Sequence, residues 1–150
     1  MLIAAHSISG GVLGELVGNP VAAFIGAFLL HFVLDWLPHY DTTDDGVFTL
    51  RQIAFIIFDA IIAALIILFV IGFSFTTHQL FFWGALGGIF PDIIENLLIR
   101  NDEPIYGNLG LSFHRFHVSV HLAQPGAIAG IGMQLIVVVI SLFAYYSIAK

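Results

Sequence analysis

Apolar residues in this chain come in long runs separated by short polar breaks. Residues 53–73 form a 21-residue run broken only by Asp59. At about 1.5 Å of rise per residue, such a helix crosses a hydrocarbon core of about 30 Å. Residues 127–149 form a second run of this kind. Residues 80–99 form a third, interrupted by Pro91, Asp92, Glu95 and Asn96, and residues 21–37 a fourth that carries His31 and Asp35. Residues 2–17 are shorter and Gly-rich, a marginal or tilted span. The pattern predicts five helices, roughly 2–18, 20–38, 51–74, 77–99 and 125–148, with a short amphipathic interfacial helix near 111–123. The fold class is all-α, a polytopic membrane helix bundle formed by one domain, residues 1–150.

Local signals place the helix ends. Thr49 with Gln52 and Thr76 with Gln79 have the spacing of capping boxes. Asn19-Pro20 puts proline at a first helical position, and Pro38 ends the second helix or kinks its last turn. The segment "YDTTDDGVF" is turn-forming and acidic, so it is a surface loop in which Asp44 and Asp45 read as solvated and Asp41 is a possible ligand or partner of His39. The glycines at 10, 11, 14 and 18, and at 84, 87 and 88, let helices approach closely in lipid.

Composition agrees. Of 150 residues, 59% are hydrophobic and 9% charged, and the mean hydropathy is +1.02. A soluble domain of this length cannot hide so much apolar surface. The first residues lack a basic stretch and a small-residue cleavage site, so no signal peptide is expected. Net charge is −6 with four Lys and Arg in total, which excludes a basic nucleic-acid-binding patch. Arg51, Arg100 and Arg115 fall on one membrane face and Lys150 on the other. The rule that cytoplasmic loops carry the cations puts the loop-rich face in the cytoplasm.

Charge becomes informative through its depth. Asp59 lies seven residues past Gln52, about 10 Å inside the loop-rich face, and Asp92 eight residues before Arg100, about 12 Å inside it. His6, His31, Asp35, His39, Glu95, His114, His117 and His121 fall in the same layer. The other half is nearly bare apart from Glu15 and His78. Each carboxylate at membrane depth costs about 2.5–3.5 kcal/mol on insertion scales, so these groups must face inward and find partners. With so few cationic side chains, a divalent metal with histidine co-ligands is the economical partner. The spacings agree: His31, Asp35 and His39 are i, i+4, i+8, His117 and His121 are i, i+4, and Asp92 and Glu95 are i, i+3. A set of nitrogen and oxygen ligands without thiols suits zinc first, with manganese or iron as alternatives, as one ion or two. The metal ligands are taken as His6, His31, Asp35, His39, Asp92, His114, His117 and His121, with Asp59 and Glu95 as catalytic carboxylates. For each there is a plainer role. A lone histidine near a helix end is often an interfacial polar group, which applies most to His6, His114 and His121. Glu15 and His78 read as local or headgroup-facing.

The stretches "AHSISGG", "HFVLDWLPHYD", "GIFPDIIEN" and "FHRFHVSVH" resemble the membrane-bound metal-dependent hydrolases of bacteria. These include the YdjM-like inner-membrane hydrolases and, more distantly, the all-helical zinc-dependent phospholipase C group. Where those families show a "PDxD", this chain has Pro91-Asp92-Ile93-Ile94-Glu95, and where they show "HRGxTHS" it has His114-Arg115-Phe116-His117. The resemblance implies a metal-dependent hydrolase of a phosphoester, such as a lipid or isoprenoid phosphate, with the bilayer as partner. A homo-oligomer is compatible with the pattern. The alternative is a non-enzymatic cation or proton transporter, and a third reading is an assembly protein whose buried polar groups only fix helix packing.

Overall fold

The computed structural model describes residues 2–40, 49–100, 103–104, 106–121 and 125–148. The described residues are all-helical apart from a pairing two residues long. Six helices follow in order: α1 (Ile3–Val17), α2 (Pro20–Asp35), α3 (Leu50–Ile71), α4 (Gln79–Leu98), α5 (Gly107–Val120) and α6 (Ala127–Ile148). Between α4 and α5, Ile99–Arg100 pairs antiparallel with Glu103–Pro104. Asp41, Asp44 and Asp45 lie outside the described residues.

Small residues make α1 the hub. It packs against α2, α3, α4 and α6, and Ala4 to Val12 are buried without a break, followed by Gly14. A β-carbon on Gly10 would strike the carbonyl of Gly84, and one on Gly84 would strike the carbonyl of Gly10. The α1 and α4 backbones therefore touch, an approach that only glycine allows on both sides. Two apolar clusters flank this seam. One gathers Ala5, Ile8, Leu34 and Ala63 near the start of α1, and the other gathers Val12, Phe81 and Ala85 further along.

The helix ends follow from identifiable groups. The Asn19 side chain accepts hydrogen bonds from the Val21 and Ala22 N–H groups, with Pro20 opening α2. Thr49 and Gln52 form a complete capping box at the start of α3. The second expected box does not form. A turn in which the Ser74 carbonyl accepts from the N–H groups of Thr77 and His78 leads into α4 at Gln79, which is too early in that helix to answer Thr76. Helix α2 stops at Asp35 rather than near residue 38, because Pro38 disfavours helical backbone at the residue before it.

Helices α3 and α6 are each long and apolar enough to cross a membrane. Helices α1 and α2 are apolar but shorter, at 15 and 16 residues. The outer faces are greasy. Along α3, only Asp59, Ala63 and Ile71 are buried, while Ile57, Phe58, Leu65 and Phe69 are exposed. On α2, Val21, Ile25, Leu29 and Val33 recur every four residues as an exposed stripe. Contiguous apolar surface of this extent marks contact with something other than water.

Substituting Gly84→Val forces the α1 and α4 backbones apart and is expected to lower stability by about 3 kcal/mol, near the upper end for overpacking. Thermal unfolding in detergent measures this. A variant melting with the wild type would contradict the described seam.

Candidate metal centre

Asp35 closes α2, and its side chain is completely buried. A bare carboxylate there would be strongly penalised. Five imidazoles surround it. His31 sits one turn back on α2, with Nε2 2.9 Å from Asp35 Oδ2. Nε2 of His117, from α5, lies 3.2 Å from the same oxygen, and that of His121, just past the end of α5, lies 3.4 Å away. Nε2 of His6, from α1, lies 3.1 Å from Oδ1, and that of His39 lies 3.9 Å from Oδ1. Asp92 of α4 completes the near side, with Oδ1 3.5 Å from His31 Nε2 and 3.7 Å from His117 Nε2.

Hydrogen bonds on the far sides of the rings fix which nitrogens face inward. Nδ1 of His31 lies 2.7 Å from the Gly88 carbonyl, and Nδ1 of His39 lies 2.8 Å from the Leu37 carbonyl. A carbonyl only accepts, so both Nδ1 atoms carry a proton and both rings turn Nε2 inward, where the neutral form of the ring holds its lone pair. His117 Nδ1 donates to Glu95 at 3.3 Å, so its Nε2 likewise faces inward. His31 Nε2 and His117 Nε2 stand 3.0 Å apart. Two ring nitrogens and two aspartate side chains thus converge on one point, where a proton or a metal ion can be shared among them.

The dimensions fit such a cation. With metal–nitrogen bonds of about 2.0–2.1 Å, neighbouring ligand atoms sit about 2.9 Å apart around an octahedral ion and about 3.4 Å around a tetrahedral one. The separations from the His31 and His117 nitrogens to each other and to Asp35 and Asp92 run from 2.9 to 3.7 Å. All four offered atoms lie within 4.8 Å of one another, and the same holds for Asp35, His39 and His121. These histidine and aspartate groups can hold a metal ion. Burial alone would lower the pKa of His117. Its hydrogen bonds to Asp35 and Glu95, with the Asp92 charge, outweigh burial and push it up to about 9, so in the metal-free protein His117 Nε2 carries a proton toward Asp35 that a metal ion would have to displace.

Packing explains why the groups meet. Gly88 faces the His6 carbonyl so closely that a β-carbon would collide with it, which brings α4 against the His6 turn of α1. Pro91 withholds an N–H from the Gly87 carbonyl four residues earlier, loosening the turn whose next carbonyl receives His31. His39 lies beyond the end of α2, so it reaches Asp35 by the chain turning back at Pro38 rather than by helical periodicity. On α6, Gly130 lies against the His39–Tyr40 backbone, and Gln134 ties the Leu2 N–H to the Tyr40 carbonyl.

The other expected site residues divide. Glu95 bonds both His114 Nδ1 and His117 Nδ1, so it sits behind the ligands and holds them in place. His114 is therefore an outer partner, 39% exposed, and belongs to neither ligand group. His6 lies behind Asp35, stacked on His31 with ring centroids 3.9 Å apart. Asp59 is engaged elsewhere. Its carboxylate accepts the Ala4 N–H at 3.1 Å and so caps the start of α1, a role its depth in the sequence did not disclose. The carbonyls of Gly88 and Leu37 and the amide of Gln134 were not anticipated. Only the Gly-Gly pair ahead of Pro91 hinted at the first of them.

The chain matches no known family model, no curated protein and no solved structure.

Asp59→Ala is expected to lower stability by about 1 kcal/mol, the cost of a lost helix cap, while leaving metal content at the wild-type level. Elemental analysis alongside thermal unfolding checks both halves. Loss of metal from this variant, with its fold intact, would return Asp59 to the centre.

Proposed function

We propose that the protein is a membrane-embedded, metal-dependent hydrolase whose substrate is a phosphoester of a lipid or isoprenoid alcohol. The observation that carries the reading is the convergence of inward-facing Nε2 atoms and aspartate oxygens around Asp35, at coordination spacing. In this reading α1, α2 and α4 join α3 and α6 in the bilayer, giving five spans. Helix α5 lies at the interface on the cytoplasmic side of a bacterial inner membrane. Zinc suits the nitrogen and oxygen donors best, with manganese or iron as alternatives. An ion held by His31, Asp35, Asp92 and His117 would supply Lewis acidity toward a phosphoryl oxygen and ease deprotonation of a water near neutral pH.

The chain's own groups supply the rest. His31, Asp35, Asp92 and His117 hold the ion. Glu95 orients His117 and His114, and His114, on the open side, accepts the proton shed by the attacking water. Asp92 and His114 are partly exposed, 33% and 39%, whereas His31 and Asp35 are sealed, so the centre opens on its α4–α5 side. Phe116 packs edge-on against Phe32 beside His117 and is half exposed, an apolar edge suited to a hydrocarbon tail.

A transport pathway is less well supported. Past His6, the polar side chains of α1 are already engaged with one another or with backbone. Ser7 donates to the Ile3 carbonyl, Ser9 meets Ser141, and Glu15 pairs with His78 at 3.0 Å.

The test is metal content and hydrolysis together. Purified protein loaded with Zn²⁺ should release inorganic phosphate from phosphatidic acid or a polyprenyl phosphate in mixed micelles. Asp92→Asn and His31→Ala should lose metal and activity, and Glu95→Gln should weaken one or the other by about 10–100-fold. Wild-type protein that takes up no divalent ion would defeat the proposal and favour a purely structural role for these residues.

A further inference from the structure

Asp35 belongs to two ligand groups at once. His31, Asp35, Asp92 and His117 form one, and Asp35, His39 and His121 form the other. The first group makes no use of His39 or His121. Yet the Nε2 atoms of both are buried; that of His39 makes no hydrogen bond, which is penalised when nothing answers it, and that of His121 has the Asp35 carboxylate 3.4 Å away. His39 is only 2% exposed, and its Nδ1 proton is committed to the Leu37 carbonyl. Its Nε2 therefore presents a lone pair to the Asp35 side of the cluster. The His39 and His121 rings meet edge to face with centroids 5.1 Å apart. Gly130 and Gln134 fix the backbone around His39 from α6.

We infer that Asp35, His39 and His121 form a second divalent-cation site, joined to the first through the Asp35 carboxylate, so that the loaded centre is dinuclear. The inference rests on the metal-centre reading above and deepens it. One oxygen of a carboxylate to each ion is a common bridge, and it holds two ions about 3.5–4 Å apart, the separation used to clamp both oxygens of a phosphoryl displacement. The two sites are not equivalent. The first has four protein ligands. The second has three, the number that leaves a position open for water or a phosphate oxygen. Its two histidines lie beyond the ends of α2 and α5 rather than within helices. The second ion is accordingly the weaker and more exchangeable, and the one that meets the phosphate of a substrate.

The experiment is stoichiometry with Mn²⁺ as the probe, read by elemental analysis and by electron paramagnetic resonance on the full chain in detergent. Wild-type protein should take up two ions in two resolved steps and show the signature of a spin-coupled pair. His39→Ala and His121→Ala should each retain one ion with an isolated six-line spectrum, and Asp35→Asn should lose the coupled signal. If His39→Ala does not fold, His121→Ala carries the test, since His121 is partly exposed and outside the helix. A wild type that saturates at one ion, with both histidine variants unchanged, overturns the second site and leaves the first standing. Loss of both ions from either variant also overturns it, because the two sites would then be one. A wild type that binds none sinks the metal-centre reading itself.

Discussion

A carboxylate sealed from water at the end of α2 is the constraint around which this structure is arranged. Asp35 is ringed by imidazoles from four places in the chain, and none of those rings is a permanent cation. Dehydrating that charge is tolerable only if positive charge is delivered to it, by protons or by metal. His31, His39 and His117 anchor Nδ1 outward and turn Nε2 toward Asp35, so the same geometry can deliver a proton or hold a metal ion.

Everything else in the fold serves to bring those rings together. Backbone contact between α1 and α4 through Gly10 and Gly84 puts His6 and Gly88 within one turn of each other. Gly88 then offers a carbonyl to His31, and Asp92, one turn further along α4, supplies an oxygen. Helix α5 folds back over the mouth so that His117 bridges Asp35 and Glu95. Asp59 works at a distance by capping α1, which keeps the His6 turn helical against the cluster. The stability of the bundle and the geometry of the centre are thus the same problem.

The helices were legible because apolar runs and caps are local properties. Asn19-Pro20 and Thr49 with Gln52 each do what their spacing implies, and the short interfacial helix falls close to its expected place as α5. Thr76 with Gln79 misled because a capping pattern says nothing about a competing turn at Ser74. Much of the candidate site was also legible. A layer of acids and histidines in an otherwise apolar chain is costly to insert, and most of its members do converge. Depth alone, however, does not separate one buried carboxylate from another. Asp59 and Asp92 looked alike in sequence, yet one meets a helix N-terminus and the other the imidazoles. Nor does spacing reveal backbone partners. The carbonyls of Gly88 and Leu37, which set the tautomers, have no side-chain signature.

X-ray absorption at the zinc edge, on protein purified in detergent and loaded with Zn²⁺, examines the central claim most directly. The account predicts a first shell of nitrogen and oxygen at about 2.0–2.1 Å with the outer-shell scattering of several imidazoles. Zinc surrounded by water oxygens alone, without imidazole scattering, would contradict it.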